Sequence, residues 1–309
     1  MRFPAPAVQL VRGFAMGAAD IVPGVSGGTV ALVLGIYDQL IANVRVGAHG
    51  LRQLLTGDVS GFLATLRKIE WVWMLSLLGG ILLAVAALSS VLERLLEEQP
   101  TRMSALFFGL VAGSVYVASR MLDRIDVVGL GIGLVMAVGF FLVLGLRSGT
   151  KAEDGTAEAV TKSPLIFFAV GSIAICAMIL PGISGSFLLV MMGMYTEVLG
   201  AVNDRDIVSL LAFGAGAVAG LALFSTLLGW MLDRYHAWVL AAMIGLMVGS
   251  LRVLWPWPGG TNTTTLSAPG GDVAVPILLG VVGIIVVVAI DVVGRRFVTV
   301  DPVEHHHPA

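Results

Sequence analysis

Four hydroxyl side chains, Ser26, Thr29, Ser184 and Ser186, stand beside two proline–glycine breakers, Pro23-Gly24 and Pro181-Gly182, inside apolar sequence. Gly27, Gly28 and Gly185 adjoin them and let another molecule approach the main chain closely. A helix that starts just after such a breaker presents unpaired N–H groups and the positive end of its dipole. Those donors and the hydroxyls suit an anion, phosphate or carboxylate, with no lysine required. The same serines and threonine also suit a purely structural part, capping helices and satisfying nearby carbonyls. Asp20 is the carboxylate that the sequence places deep in an apolar run, shortly before the first breaker. An acid inside a membrane can carry a coupling proton or sodium ion, or pair with Arg12 or a hydroxyl. No catalytic residue, resident cofactor or metal is expected. Gly24-Val25-Ser26-Gly27-Gly28 does have Gly-x-Ser-x-Gly spacing, but His49 and His236 fall in expected loops, without the context of a hydrolase nucleophile.

The elements that must position these residues come as a pair. At a constant offset of 158, residues 13–41 align without a gap on residues 171–199. Nine of the 29 positions are identical, and they fall largely on proline, glycine, serine and tyrosine, so this is a duplication and not two greasy segments matched by chance. As one straight helix, residues 13–41 would rise roughly 43 Å, more than the roughly 30 Å hydrocarbon core. Proline removes a helix donor and clashes with the preceding turn. Two half-helices joined by a Pro-Gly-x-Ser-Gly turn are therefore expected in each copy. Non-helical backbone at membrane depth survives only when buried in protein or lining a wet cavity. Transporters use two such broken helices, in matching positions, to build a midplane binding site. Tyr37 and Tyr195, with Asp38 and Glu197 nearby, are expected at the membrane interfaces as anchors.

The chain has 309 residues, 57% hydrophobic and 12% charged, and a mean hydropathy of +0.96, which defines a polytopic membrane protein. Its net charge of -2 gives no footprint for nucleic acid. The single cysteine, Cys176, excludes an intrachain disulfide. His305–His307 at the tail are given no role.

The expected architecture is all-α, with two inverted repeats, each a re-entrant broken-helix hairpin plus three transmembrane helices. The first repeat covers 1–147, with its hairpin at about 10–42 and spans at about 71–92, 103–119 and 127–146. A connecting loop at 148–163 follows. The second repeat covers 164–296, with its hairpin at about 164–200, spans at about 207–232, 238–254 and 273–293, and a tail at 297–309. Gly109…Gly113-Ser114 matches Gly245…Gly249-Ser250, and both suit small-xxx-small helix contacts. Arg295 and Arg296 place the C-terminus in the cytoplasm, and the stretch with Arg45, Arg52, Arg67 and Lys68 belongs on that side if the hairpins re-enter. The N-terminus then lies in the cytoplasm too. One hairpin plus three crossings is an odd number, so the second copy is upside down relative to the first.

Asp20-Ile-Val-Pro23-Gly-Val-Ser-Gly-Gly-Thr29 with Gly35-Ile-Tyr37, then Met178-Ile-Leu-Pro181-Gly-Ile-Ser-Gly-Ser186-Phe with Gly193-Met-Tyr195, resemble the bacterial polyprenyl-phosphate translocases of the PopT type. The resemblance runs over about residues 12–293. It implies a flippase of the bacterial plasma membrane that returns undecaprenyl phosphate, the lipid carrier of cell-wall synthesis, from the outer to the cytoplasmic leaflet. Under that reading Gly24, Ser26, Gly27, Gly28, Thr29, Gly182, Ser184, Gly185 and Ser186 hold the phosphate, Pro23 and Pro181 break the helices, and Asp20 with Arg12 serves coupling or gating. Partners are the polyprenyl phosphate and membrane lipids; the oligomeric state is left open. The alternatives are a transporter for a small soluble anion, with a site closed to lipid, and an intramembrane lipid-phosphate enzyme.

Overall fold

A computed structural model describes residues 5–21, 25–122, 126–145, 163–185, 188–189, 192–260 and 265–298. Pro23, Gly24 and Ser186, most of the connecting loop, and the tail from residue 299 lie outside them. Among the described residues the chain is helical and has no strand. The first half comprises α1 (Ala5–Asp20), α2 (Gly27–Val33), α3 (Tyr37–Leu55), α4 (Val59–Leu66), α5 (Trp71–Glu98), α6 (Pro100–Ser119) and α7 (Val127–Gly145). The second comprises α8 (Pro164–Ile179), α9 (Tyr195–Asn203), α10 (Ile207–Ser250) and α11 (Ala274–Val298). Five described helices, α5, α6, α7, α10 and α11, are long and apolar enough to cross a bilayer, so this is a multi-pass membrane protein.

Residues 207–232 and 238–254 are joined without an intervening loop: the 44 residues of α10 comprise two helices that meet at a kink at Tyr235. No proline or glycine falls between 230 and 244, and the Tyr235 ring stacks on Trp238 at 5.3 Å across the junction. At the kink Tyr235 leaves helical geometry, with φ -134° and ψ 40°. The boundary between α5 and α6 has nearly the same backbone, Gln99 at φ -135° and ψ 51°, here because Pro100 disfavours helical geometry in the residue before it. His49 lies in α3 and His236 in α10, so neither is in a loop.

Glycines set the helix contacts, and they do so twice in one register. A methyl group at Gly13 would lie 2.0 Å from the Leu77 carbonyl oxygen, and one at Gly80 would lie 2.0 Å from that of Leu10, so α1 and α5 touch backbone to backbone. The equivalent pairs hold α8 to α10: Gly171 at 2.2 Å from Phe213 O and Gly216 at 1.9 Å from Phe168 O. Further on, the halves exchange partners. Gly109 of α6 lies against Gly280 of α11, whereas Gly245 of α10 lies against Gly133 of α7. These are small-residue contacts, where close approach maximises van der Waals packing. The offset between matched positions falls from 158 at Gly13/Gly171 to 136 at Gly80/Gly216, a difference of 22 residues taken up by a longer α3 and the additional α4.

The core gathers around the short helix α2. Its Gly27, Thr29, Ala31 and Leu32 are buried, and Ala31 and Leu32 share one apolar cluster with Val111 of α6 and Leu240, Met243 and Met247 of α10. Protein thus surrounds this interrupted backbone, the setting in which a membrane protein tolerates non-helical main chain. The helix closes with a Schellman turn: Ile36 N donates to Ala31 O at 3.0 Å and Gly35 N to Leu32 O at 3.0 Å, with Gly35 at φ +67°. Gly193, its counterpart, has φ +65°.

Candidate functional site

α1 stops at Asp20 and the helix resumes at Gly27. Ser26, extended at φ -129° and ψ 136°, caps α2 by accepting from Gly28 N at 3.1 Å. Asp20 Oδ1 accepts from Gly27 N at 2.6 Å, reaching back across the break. Thr29 N and Val30 N donate to Ser26 O at 2.9 and 3.4 Å. The first turn of α2 therefore has all four amides engaged, where the sequence led us to expect unpaired donors. A carboxylate of the chain itself sits at the positive end of this helix.

The second break meets the first directly. Ser26 Oγ donates to Met178 O at 3.3 Å, Gly182 N donates to Thr29 Oγ1 at 3.0 Å, and Tyr37 Oη donates to Ile179 O at 3.0 Å. Ser26 and Thr29 are each 1% exposed, so these contacts are fully desolvated, and a buried polar group without a partner would be costly. Pro181, Gly182, Ser184 and Gly185 are buried as well. Where Asp20 overlies Gly27, its counterpart Met178 overlies Gly185: a methyl group on that glycine would lie 2.3 Å from Met178 Cγ. The two tips share a shape but not a charge.

Two other expected partners part company. Arg12 lies eight residues before Asp20 on α1, roughly 12 Å along the axis, and its Nη1 donates to Gln9 Oε1 at 3.4 Å. The expected interfacial anchor at Tyr37 is corrected, because the residue is 2% exposed and belongs to the junction between the breaks. Its hydroxyl finds there a carbonyl freed by the end of α8, a partner no membrane interface would supply as specifically. Tyr195 is 39% exposed. The duplicated Gly-x-Tyr that follows each breaker was the available signal for Tyr37, and its aromatic character pointed elsewhere.

Gly182 is fixed by two separate demands. Its φ is +87°, and a methyl group there would lie 2.9 Å from Met247 N and Cα. Alanine at Gly182 is expected to cost about 1–2 kcal/mol of left-handed strain plus the displacement of α10. Alanine at Gly193, with φ +65° and open space around it, is expected to cost the strain alone. Thermal unfolding of the two purified variants in detergent measures the difference; equal midpoints would show that the Met247 backbone exerts no pressure on the turn.

The fold and this junction define a class: a multi-pass α-helical membrane protein with two matching broken helices packed tip to tip. The family model described as undecaprenyl phosphate translocase-like (VCA0040-like) matches residues 16–270, and the chain belongs to that family. It is similar to the polyprenyl-phosphate transporter of Vibrio cholerae serotype O1 (strain ATCC 39315 / El Tor Inaba N16961), 41% identical over 247 residues, covering 80% of this chain and 77% of that one. It is also similar to the polyprenyl-phosphate transporter of Staphylococcus aureus (strain NCTC 8325 / PS 47), 31% identical over 263 residues, covering 81% of this chain and 86% of that one. No solved structure matches the chain. Both relatives are named as transporters and not as enzymes.

Proposed function

We propose that the protein returns polyprenyl phosphate, undecaprenyl phosphate among its forms, from the outer to the cytoplasmic leaflet of the bacterial plasma membrane by alternating access. The observation that carries this reading is the direct meeting of the two breaks through Thr29 and Gly182, residues 153 apart in sequence. The names of the relatives supply the substrate class. Recurrence of one glycine register in both halves, with partners exchanged between them, supports two inverted repeats, each with a re-entrant hairpin. Such repeats rock about a central site. Both termini are assigned to the cytoplasm on the strength of the basic residues.

A lipid phosphate cannot enter hydrocarbon bare, because burying an unpaired anion costs many kcal/mol. The junction offers the donors that replace its water: the amides of Gly27 and Gly28, the hydroxyls of Ser26, Thr29 and Ser184, and the main chain about Gly182 and Gly185. Gly24 and Ser186 belong to the same set by their place in the motifs. In the present conformation Asp20 and Ser26 satisfy the Gly27 and Gly28 amides. The headgroup therefore takes over donors already committed to oxygen, and the prenyl tail stays in lipid. Asp20 is the group displaced, which makes it the natural carrier of a coupling proton or sodium ion, with Arg12 on the same helix.

The test uses purified protein in liposomes containing polyprenyl phosphate, with a phosphatase added outside. Headgroups in the inner leaflet should become accessible only in the presence of protein, whereas a soluble anion carrier would release entrapped phosphate and leave the lipid protected. Protection equal to that of empty liposomes would refute the proposal.

A further inference from the structure

We infer that Tyr37 and Tyr195 are paired positioning residues that seat the two hairpins alternately, each hydroxyl docking on the other repeat's break in one of two conformations. The inference rests on the transport reading above. It starts from an asymmetry between two sites whose local backbones agree. Gly35 and Gly193 have φ +67° and +65°, and the next residues, Ile36 and Met194, have φ/ψ of -110°/2° and -111°/-3°. Ile36 N donates to Ala31 O at 3.0 Å, and Met194 N donates to Leu189 O at 2.9 Å. Each tyrosine then opens a helix at the same point of the same turn. Yet Tyr37 is 2% exposed and hydrogen-bonded to Ile179 O, whereas Tyr195 is 39% exposed.

Local sequence therefore does not set the difference; the seating of each hairpin does. The 158-residue offset carries Tyr37 to Tyr195 and carries Ile21 to Ile179. The mirror image of the observed contact is thus Tyr195 Oη donating to Ile21 O. Related halves that exchange environments give a machine two states of similar energy, and any single conformation shows one half docked and the other free. A second contact marks the same bias. Arg45 of α3 pairs with Asp233 of α10 at 2.6 Å, whereas the equivalent positions are Asn203 and Glu97, with no cation to form the pair. The first hairpin is seated here by Tyr37 and by α3, and the second awaits its turn.

The chain has four tyrosines, so labelling with 3-fluorotyrosine gives four fluorine resonances, assigned by single phenylalanine variants. The protein is studied in nanodiscs containing polyprenyl phosphate, with a soluble paramagnetic chelate to separate exposed from shielded rings. Tyr37→Phe should raise the docked-to-free ratio of Tyr195 roughly fivefold, the equivalent of one neutral hydrogen bond. Tyr195→Phe should raise the docked share of Tyr37 in return. A structural role for Tyr37 alone would leave Tyr195 in one exposed environment in both proteins, and that result overturns the inference. The liposome assay on the wild type separates the two failures. If the lipid moves while Tyr195 never docks, the paired tyrosines alone are wrong; if no lipid moves, the transport reading falls and takes them with it.

Discussion

Alanine at Gly80 is expected to cost the folded protein about 3 kcal/mol or more, whereas alanine at Gly79 is expected to be neutral or to stabilise it by up to about 1 kcal/mol. The two residues are neighbours on α5, about 100° apart around the helix axis, and only Gly80 faces α1. A methyl group at Gly80 would lie 2.0 Å from Leu10 O and 2.7 Å from Phe14 N, and at Gly79 it would meet nothing within 4 Å. The obstacle at Gly80 is backbone, which has no rotamer to change, so α1 and α5 must separate along their contact. That loses the dispersion on which helix association in lipid depends. At Gly79 the methyl group only removes the entropy disadvantage of glycine in a helix. The second half repeats the experiment: Gly216 lies 1.9 Å from Phe168 O, and Gly214 has open space. Thermal unfolding in detergent should therefore show large losses at Gly80 and Gly216 and none at Gly79 and Gly214. Equal shifts within either pair would mean that these helices do not meet at the glycines.

Valine at Gly27 is the substitution expected to damage transport most. Its Cβ would lie 2.5 Å from Asp20 Oδ2 and 2.9 Å from Cγ and Oδ1, so the carboxylate must leave the Gly27 amide. A hydrogen bond to a charged group contributes about 1.5–3 kcal/mol, which corresponds to a loss of roughly tenfold to more than a hundredfold in the population of intact tips. Valine at Gly185 meets Met178 at 2.3 Å instead, a flexible side chain that is 43% exposed and can swing aside. Its loss should be the smaller one, and Gly27→Val with Gly185→Val should abolish movement of the lipid. Phosphatase accessibility in liposomes gives the rates, and thermal unfolding shows which variants remain folded. A folded double variant that moves polyprenyl phosphate at the wild-type rate would remove the junction from the mechanism.

Much of this protein is legible in one dimension. The apolar runs gave α5, α6, α7 and α11 because lipid selects long helices by composition, and composition is local. The duplicated Pro-Gly-x-Ser-Gly marked both interruptions because proline and glycine act on their own turn. The matched glycine runs at Gly109 and Gly245 announced close helix contacts, but not that one lies on α11 and the other on α7. The charged residues Asp233 and Arg234 marked where 207–232 and 238–254 divide, and there the two parts of α10 meet at the Tyr235 kink without a loop between them.

The sequence by itself determined the class, the duplication and the residues in which chemistry is concentrated, because each follows from what a short segment does in lipid. Tertiary structure alone decided that Asp20 answers the Gly27 amide and not Arg12, that Thr29 and Tyr37 bind the opposite break, and that Tyr37 is enclosed while Tyr195 is open. Those facts depend on where segments some 150 residues apart come to rest against each other, and no local period or propensity encodes that distance.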